Sequence, residues 1–239
     1  KVPQRQGILY YDDEVLGRIE RAYSEVDDFV IVRSNGKPLY LLCNVVDDIR
    51  DHMLYFLENH DEQRIASDFF CGSAMKAIPA AAMSLFFQKN PFMLYSGQEF
   101  GEKGMDKEGF SGRDGRTTIF DYWSPETLTH AYQEGEEEAY TAEQKYLAAT
   151  YRQLLRLANE EKALREGDTF DLMYVNPGSE GFDPRTNFAF LRKKDNEVML
   201  IVLNFAQEAR QLQVCIPGHA FDFFQITEEE VLVTELFSG

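Results

Sequence analysis

Asn59, His60 and Asp61 stand next to one another, and their types and order could do chemistry. An imidazole beside a carboxylate can hold hydroxyl groups by hydrogen bonds, and the carboxylate can offset positive charge developing on a nearby carbon. Arg64 follows on the same polar stretch. All four come directly after the apolar run at 53–57, Met-Leu-Tyr-Phe-Leu, which stops at Glu58. A compact apolar run that ends in polar residues predicts a buried parallel strand, and barrels of parallel strands carry their sites at the strands' carboxyl ends. On its own the triplet is short enough to recur by chance, and a lone histidine is more often structural.

The elements that must position these residues can be read on both sides. The run at 73–88, rich in Ala, Met and Phe, predicts a buried helix that tolerates Pro79 near its start. A second buried strand is predicted at 92–95, ending at Ser96, Gly97, Gln98 and Glu99. Strand, helix and strand in that order form a βα unit of a parallel sheet. Upstream, the apolar stretch at 7–11 predicts a strand or loop that enters a helix near Asp13, with Val15, Leu16, Ile19, Ala22 and Tyr23 at helical spacing. The runs at 29–32 and 39–43 flank Asn35-Gly36, a hairpin signal. Residues 101–124 hold Gly101, Gly104, Gly109, Gly112 and Gly115 amid charges and aromatics, which predicts a long structured loop of functional use.

A helix over 141–164 follows, with Gly167 as its stop. Beyond it the runs at 188–191, 198–205, 212–216 and 231–236 are β-rich and separated by turn clusters, so an antiparallel sandwich is expected. The predicted domains are therefore 1–166 and 167–239.

Composition narrows the partners. A formal charge of -17 argues against a nucleic-acid partner, which would need clustered Lys and Arg. No apolar run is long enough to span a bilayer, so no membrane is expected, and the polar start carries no signal from which localisation could be read. Cys43, Cys71 and Cys215 are far apart and odd in number, and are read as buried thiols. His52, His130 and His219 lack partners at metal-binding spacing, and the acidic run at 134–138 is a solvated face, so no metal is assigned.

The stretch Phe-Leu-Glu-Asn-His-Asp-Glu-Gln-Arg at 56–64 resembles the Asn-His-Asp motif of the α-amylase family of glycoside hydrolases. The stretch at 90–101, Asn-Pro-Phe-Met-Leu-Tyr-Ser-Gly-Gln-Glu-Phe-Gly, resembles that family's last barrel strand, with Asn90 where the family usually has Gly. Residues 108–123 look like the loop that follows, and those at 151–168 like the closing helix that runs into the sandwich. The resemblance implies the end of a (β/α)8 barrel followed by an all-β antiparallel sandwich. It gives Asp61 and His60 catalytic roles, the first as transition-state-stabilising carboxylate and the second as the imidazole on sugar hydroxyls. Asn59 and Arg64 become substrate-binding or loop-holding, and Glu99 a buried carboxylate at the strand end.

Retaining hydrolysis needs two carboxyl groups roughly 5 Å apart, one attacking and one protonating the leaving oxygen. Neither family motif for them is present in residues 1–58, where Asp12 and Asp13 read as acids at a helix's amino end. The expectation is thus the distal part of an α-glucan-acting hydrolase of starch degradation, inactive alone and completed by upstream residues. The alternative is a non-catalytic carbohydrate-binding or structural remnant. An α-glucan or oligosaccharide is the expected partner, no cofactor is expected in this chain, and calcium is left open for the longer protein. A partial barrel bares strand edges, so self-association is also expected.

Overall fold

A computed structural model describes residues 8–13, 17–22, 54–106, 112–119, 125, 127–129, 140–206, 208–227 and 233–237. Contacts within the chain separate two units, Lys1–Met53 and Leu54–Gly239.

In the first unit the β-prone sequence Ile-Leu-Tyr-Tyr-Asp-Asp forms strand β1 (Ile8–Asp13), which pairs antiparallel with β2 (Gly17–Ala22). The register runs from Ile8 opposite Ala22 to Asp13 opposite Gly17. The helix expected from Asp13 does not form, because 17–22 is strand. A helix this short is marginal alone, whereas a neighbouring strand satisfies the backbone groups of both segments. The hairpin expected at 29–43 lies outside the described residues.

In the second unit β3 (Tyr55–Phe56) pairs parallel with β4 (Phe92–Met93). The chain between them passes through a 3-10 turn, Ala74–Ala77, into helix α1 (Ile78–Phe86). Pro79 falls in the first turn of α1, where a missing N–H leaves no bond unmade. The expected strand, helix and strand are present, but the strands are not buried, with Phe56 42% and the adjoining Leu54 46% exposed, the parallel pairing spans two residues of each, and no barrel is closed among the described residues.

Helix α2 (Ala142–Glu160) starts at a capping box: the Gln144 N–H donates to Thr141 Oγ1 at 3.2 Å and the Thr141 N–H donates to Gln144 Oε1 at 2.9 Å. Its buried stripe is Leu147, Tyr151, Leu154 and Leu157. The single helix expected over 141–164 breaks at Glu161, whose ψ is 119°, and resumes as α3 (Lys162–Glu166). The break is held by Glu197 from a later strand, which accepts from the Ala163 N–H at 2.8 Å and the Lys162 N–H at 3.3 Å. A carboxylate at the amino end of α3 satisfies donors the helix itself cannot.

Strands β5 (Asp168–Asp171), β6 (Asn187–Lys194) and β7 (Glu197–Asn204) form one antiparallel sheet in that order. The central strand β6 is buried on both faces. Phe190 joins Ile201 and Leu203 against α1 and α2, while Ala189 and Leu191 face Leu172, Phe182 and helix α4 (Gly218–Phe224). Of the expected strands, those near 188–191 and 198–205 are β6 and β7. The run at 212–216 is extended without a strand ladder, tied by the Gln213 N–H to Glu180 O and the Cys215 N–H to Asn176 Oδ1. Residues 233–236 are not strand either, so the described residues hold a sheet covered by helices rather than two stacked sheets. Cys215 is exposed and Cys71 half-buried, which corrects the buried-thiol reading; Cys43 is outside the described residues.

Arg192 on β6 joins these layers. It is fully buried, and every guanidinium hydrogen has an acceptor. Nε donates to Ala163 O, Nη1 to Phe87 O and Thr169 Oγ1, and Nη2 to Leu164 O and Gly167 O, at 2.8–3.2 Å. It thereby supplies donors to carbonyls at the ends of α1 and α3. Gly167 is fixed by the same crowding, since a Cβ there would lie 2.1 Å from Ala163 O. Arg192→Leu is expected to lower the unfolding free energy by about 3 kcal/mol or more, by leaving buried carbonyls unpaired. Urea denaturation measures this, and a loss under about 1 kcal/mol would show that the guanidinium does not hold the layers.

Candidate functional site

Where β3 ends, the chain alternates inward and outward. Glu58 turns in and is only 2% exposed, whereas Asn59 and His60 are half-buried and Asp61 is exposed. Asn59 shapes the turn: its Oδ1 accepts from the Asp61 and Glu62 N–H groups, both at 2.9 Å. This brings His60 and Asp61 together at the surface, with Nε2 and Oδ1 3.5 Å apart and side chains 42% and 67% exposed. A pair so placed can meet hydroxyl, amine or cationic groups from solution.

Arg64 sits beneath the turn and is 0% exposed. Its Nε lies 2.8 Å from Glu58 Oε2 without a well-aligned hydrogen bond, so charge more than direction holds this contact. Nη2 donates to Ser96 O at 2.9 Å just past β4, and Nη1 to Thr117 Oγ1 at 3.1 Å. The guanidinium carbon lies 4.6 Å from the centre of the Tyr95 ring. Glu58 Oε2 also accepts from the Ile65 N–H at 3.1 Å. Burial raises the Glu58 carboxyl above its usual range, with Arg64 pulling in the opposite direction.

Of the four residues expected at the site, the structure brings His60 and Asp61 into contact and turns both toward solvent. The Asn59 carbonyl is engaged by its own loop, and Arg64 faces protein groups on all sides. Glu99, expected to organise the strand end, keeps a buried Oε2 with no hydrogen-bond partner. Glu58 and Glu102 do that work instead. Glu102 Oε1 accepts from the Gly104 N–H at 2.8 Å and Oε2 from the Thr127 hydroxyl. Nearby, Gln98 Nε2 donates to the Tyr151 hydroxyl at 2.8 Å, and burial pushes that phenol up to about 12. The signal for Glu58 in the sequence was its position as the first polar residue after an apolar strand. Glu102 and Tyr151 carried none. Among the described residues no group of three or more His, Cys, Asp or Glu could hold a metal ion, and no helix is long and apolar enough to cross a membrane.

Comparison with known proteins places the first part of the chain elsewhere than the motifs suggested. Residues 1–66 match the family described as tRNA synthetases class I (E and Q), catalytic domain. The glutamate–tRNA ligase of Desulfotalea psychrophila is 56% identical over 61 residues, which are 26% of this chain and 12% of that ligase. That of Coprothermobacter proteolyticus is 46% identical over 61 residues, or 26% and 13%. That of Thermobifida fusca is 49% identical over 49 residues, or 20% and 10%. The matched stretch thus spans about an eighth of the D. psychrophila ligase. Among solved structures, the maltogenic α-amylase AmyB of Thermotoga neapolitana is similar at a TM-score of 0.39 and 20% identity, over 69% of this chain and 32% of that one.

The synthetase match overturns the expected activity. An α-glucan-acting hydrolase of starch degradation, its remnant as the alternative, and a glucan partner all rested on a resemblance of four stretches between 56 and 168, whereas the match to the synthetases runs over residues 1–66 and includes the Asn59–Asp61 turn. The missing nucleophile and acid/base motifs have their explanation here, since residues 1–58 are similar to another family. The exclusion of nucleic acid falls with it. A charge summed over the whole chain does not say where basic groups cluster.

The Glu58 carboxyl makes a prediction about pH. Its folded-state pKa is raised, so its contribution to stability is fully present below the usual value of 4.5 and is lost as pH rises through the raised one. The stability of the native chain relative to Glu58→Gln should therefore fall as pH is raised from 4.5 toward neutrality. Urea titrations at several pH values test it, and a relative gain over that window would overturn the assignment.

Proposed function

We propose that residues 1–66 are a segment of the catalytic domain of a class I tRNA synthetase of the glutamate and glutamine group, and that the longer protein joins glutamate to tRNA. The observation that carries this reading is the 56% identity over 61 residues to the D. psychrophila ligase. Glutamate is the small substrate in this reading and tRNA the macromolecular partner.

His60 and Asp61 are the ligand-facing pair of the segment, oriented by Asn59 and backed by Arg64. Their exposure, their 3.5 Å contact and their place within the matched residues support that role. An imidazole and a carboxylate at a strand exit suit the hydroxyl groups of a ribose or the amine of an amino acid. The parallel pair β3 and β4, with α1 between them, supports reading this stretch as a βα unit of a parallel sheet. The antiparallel sheet supports reading 167–239 as β-rich, packed through Phe190, Ile201 and Leu203 on α1 and α2.

The test is transfer of labelled glutamate to tRNA by the full-length product of the gene, with ATP present. Charging is expected, with a loss of about tenfold or more in kcat/KM for Asp61→Asn. A folded full-length protein that leaves tRNA uncharged would sink the reading.

A further inference from the structure

We infer that residues 114–117 form a strap that positions the His60 and Asp61 pair, with Arg116 as its positioning residue. The inference rests on the reading of that pair as ligand-facing. Strap and turn are joined by four bonds between segments about fifty residues apart in sequence. The Arg116 Nε–H donates to Asp61 O at 2.8 Å, the Arg64 N–H to Gly115 O at 2.6 Å, Gln63 Nε2 to Asp114 O at 3.1 Å, and Arg64 Nη1 to Thr117 Oγ1 at 3.1 Å. Three of the four involve backbone carbonyls, so they fix the path of the chain rather than one rotamer.

The strap is itself held by local bonds and close packing. Asp114 Oδ1 accepts from the Arg116 N–H at 3.0 Å, and its other oxygen lies 3.5 Å from Arg116 Nη1, which aims the guanidinium across the turn. Gly115 has a φ of +80°, and a Cβ there would lie 2.8 Å from Ser67 Oγ. On its other side Gly104, at φ +59°, approaches so closely that a Cβ on it would lie 2.8 Å from the Gly115 carbonyl carbon. Ser67, Gly115 and Gly104 thus stack without room for a side chain, and the strap has one seat. The guanidinium of Arg116 also brings positive charge to the edge of the pair, on the side of the Asp61 carbonyl.

Amide hydrogen exchange on the intact chain tests the strap without assuming a ligand. In Arg116→Gln, and independently in Gln63→Ala, the Asp61, Glu62 and Arg64 amides should exchange about tenfold faster or more. The Leu154 and Leu157 amides of α2 should be unchanged, and the His60 ring carbon-bound proton signals should shift. Unchanged exchange at 61, 62 and 64 in both variants would overturn the strap. Glutamate charging by the full-length protein separates the two readings: faster exchange with undiminished charging leaves the strap in place and removes the pair's proposed role, whereas lost charging with unchanged exchange overturns the positioning claim.

Discussion

A guanidinium that cannot be deprotonated has been taken out of water at Arg64, and the site above it is arranged around that fact. An uncompensated buried charge costs several kcal/mol, so each neighbouring segment contributes a partner. Glu58 comes from the end of β3, Ser96 and Tyr95 from just past β4, and Thr117 from the strap. None of these segments can move far without leaving the charge exposed to an apolar interior. The exposed His60 and Asp61 inherit their position from this buried group, because the turn that carries them is only as fixed as its two ends.

Arg192 solves the same problem differently. It has no carboxylate in contact and is satisfied by backbone carbonyls and the Thr169 hydroxyl, which lets burial lower its pKa. Because those carbonyls belong to the ends of α1 and α3, one side chain closes the helices onto the sheet. One continuous apolar cluster follows, from Ala81 and Leu85 through Leu154 to Phe190 and Leu203. The second cluster, under α4, lies on the opposite face of β6. The two arginines divide the labour of the second unit, one fixing strand exits and the other fixing layers.

What the sequence showed of this architecture follows how local each signal is. The start of α2 near 141, the turn clusters between the β-rich runs that become β6 and β7, and the apolar runs that hold β3 and β4 are all local signals. The hairpin partner at 17–22 was not legible, because Ile19 and Ala22 satisfy helical spacing as well as strand pairing, and only the neighbouring strand decides. The break at Glu161 depends on Glu197, 34 residues from Ala163, and so leaves no mark near the helix. Helix α4 was hidden because Phe221, Phe223 and Phe224 read equally well as strand or helix. At the site, the identities of His60 and Asp61 were visible, but the burial of Arg64 depends on contacts 32 and 53 residues away. The signal for activity is distributed in the same way. Four stretches from 56 onward carried recognisable residues, while the similarity to the synthetases lies over residues 1–66.

The position of the turn carrying His60 and Asp61 depends on Glu58 and Arg64 acting energetically as one unit. A double-mutant cycle with Glu58→Gln and Arg64→Met, read by urea unfolding at neutral pH, measures that directly. A coupling of about 2 kcal/mol or more is expected for a buried pair in which each partner is stranded by loss of the other. A coupling within about 0.3 kcal/mol of zero would mean that the two side chains are neighbours without being partners, and that the turn carrying His60 and Asp61 is held by something else.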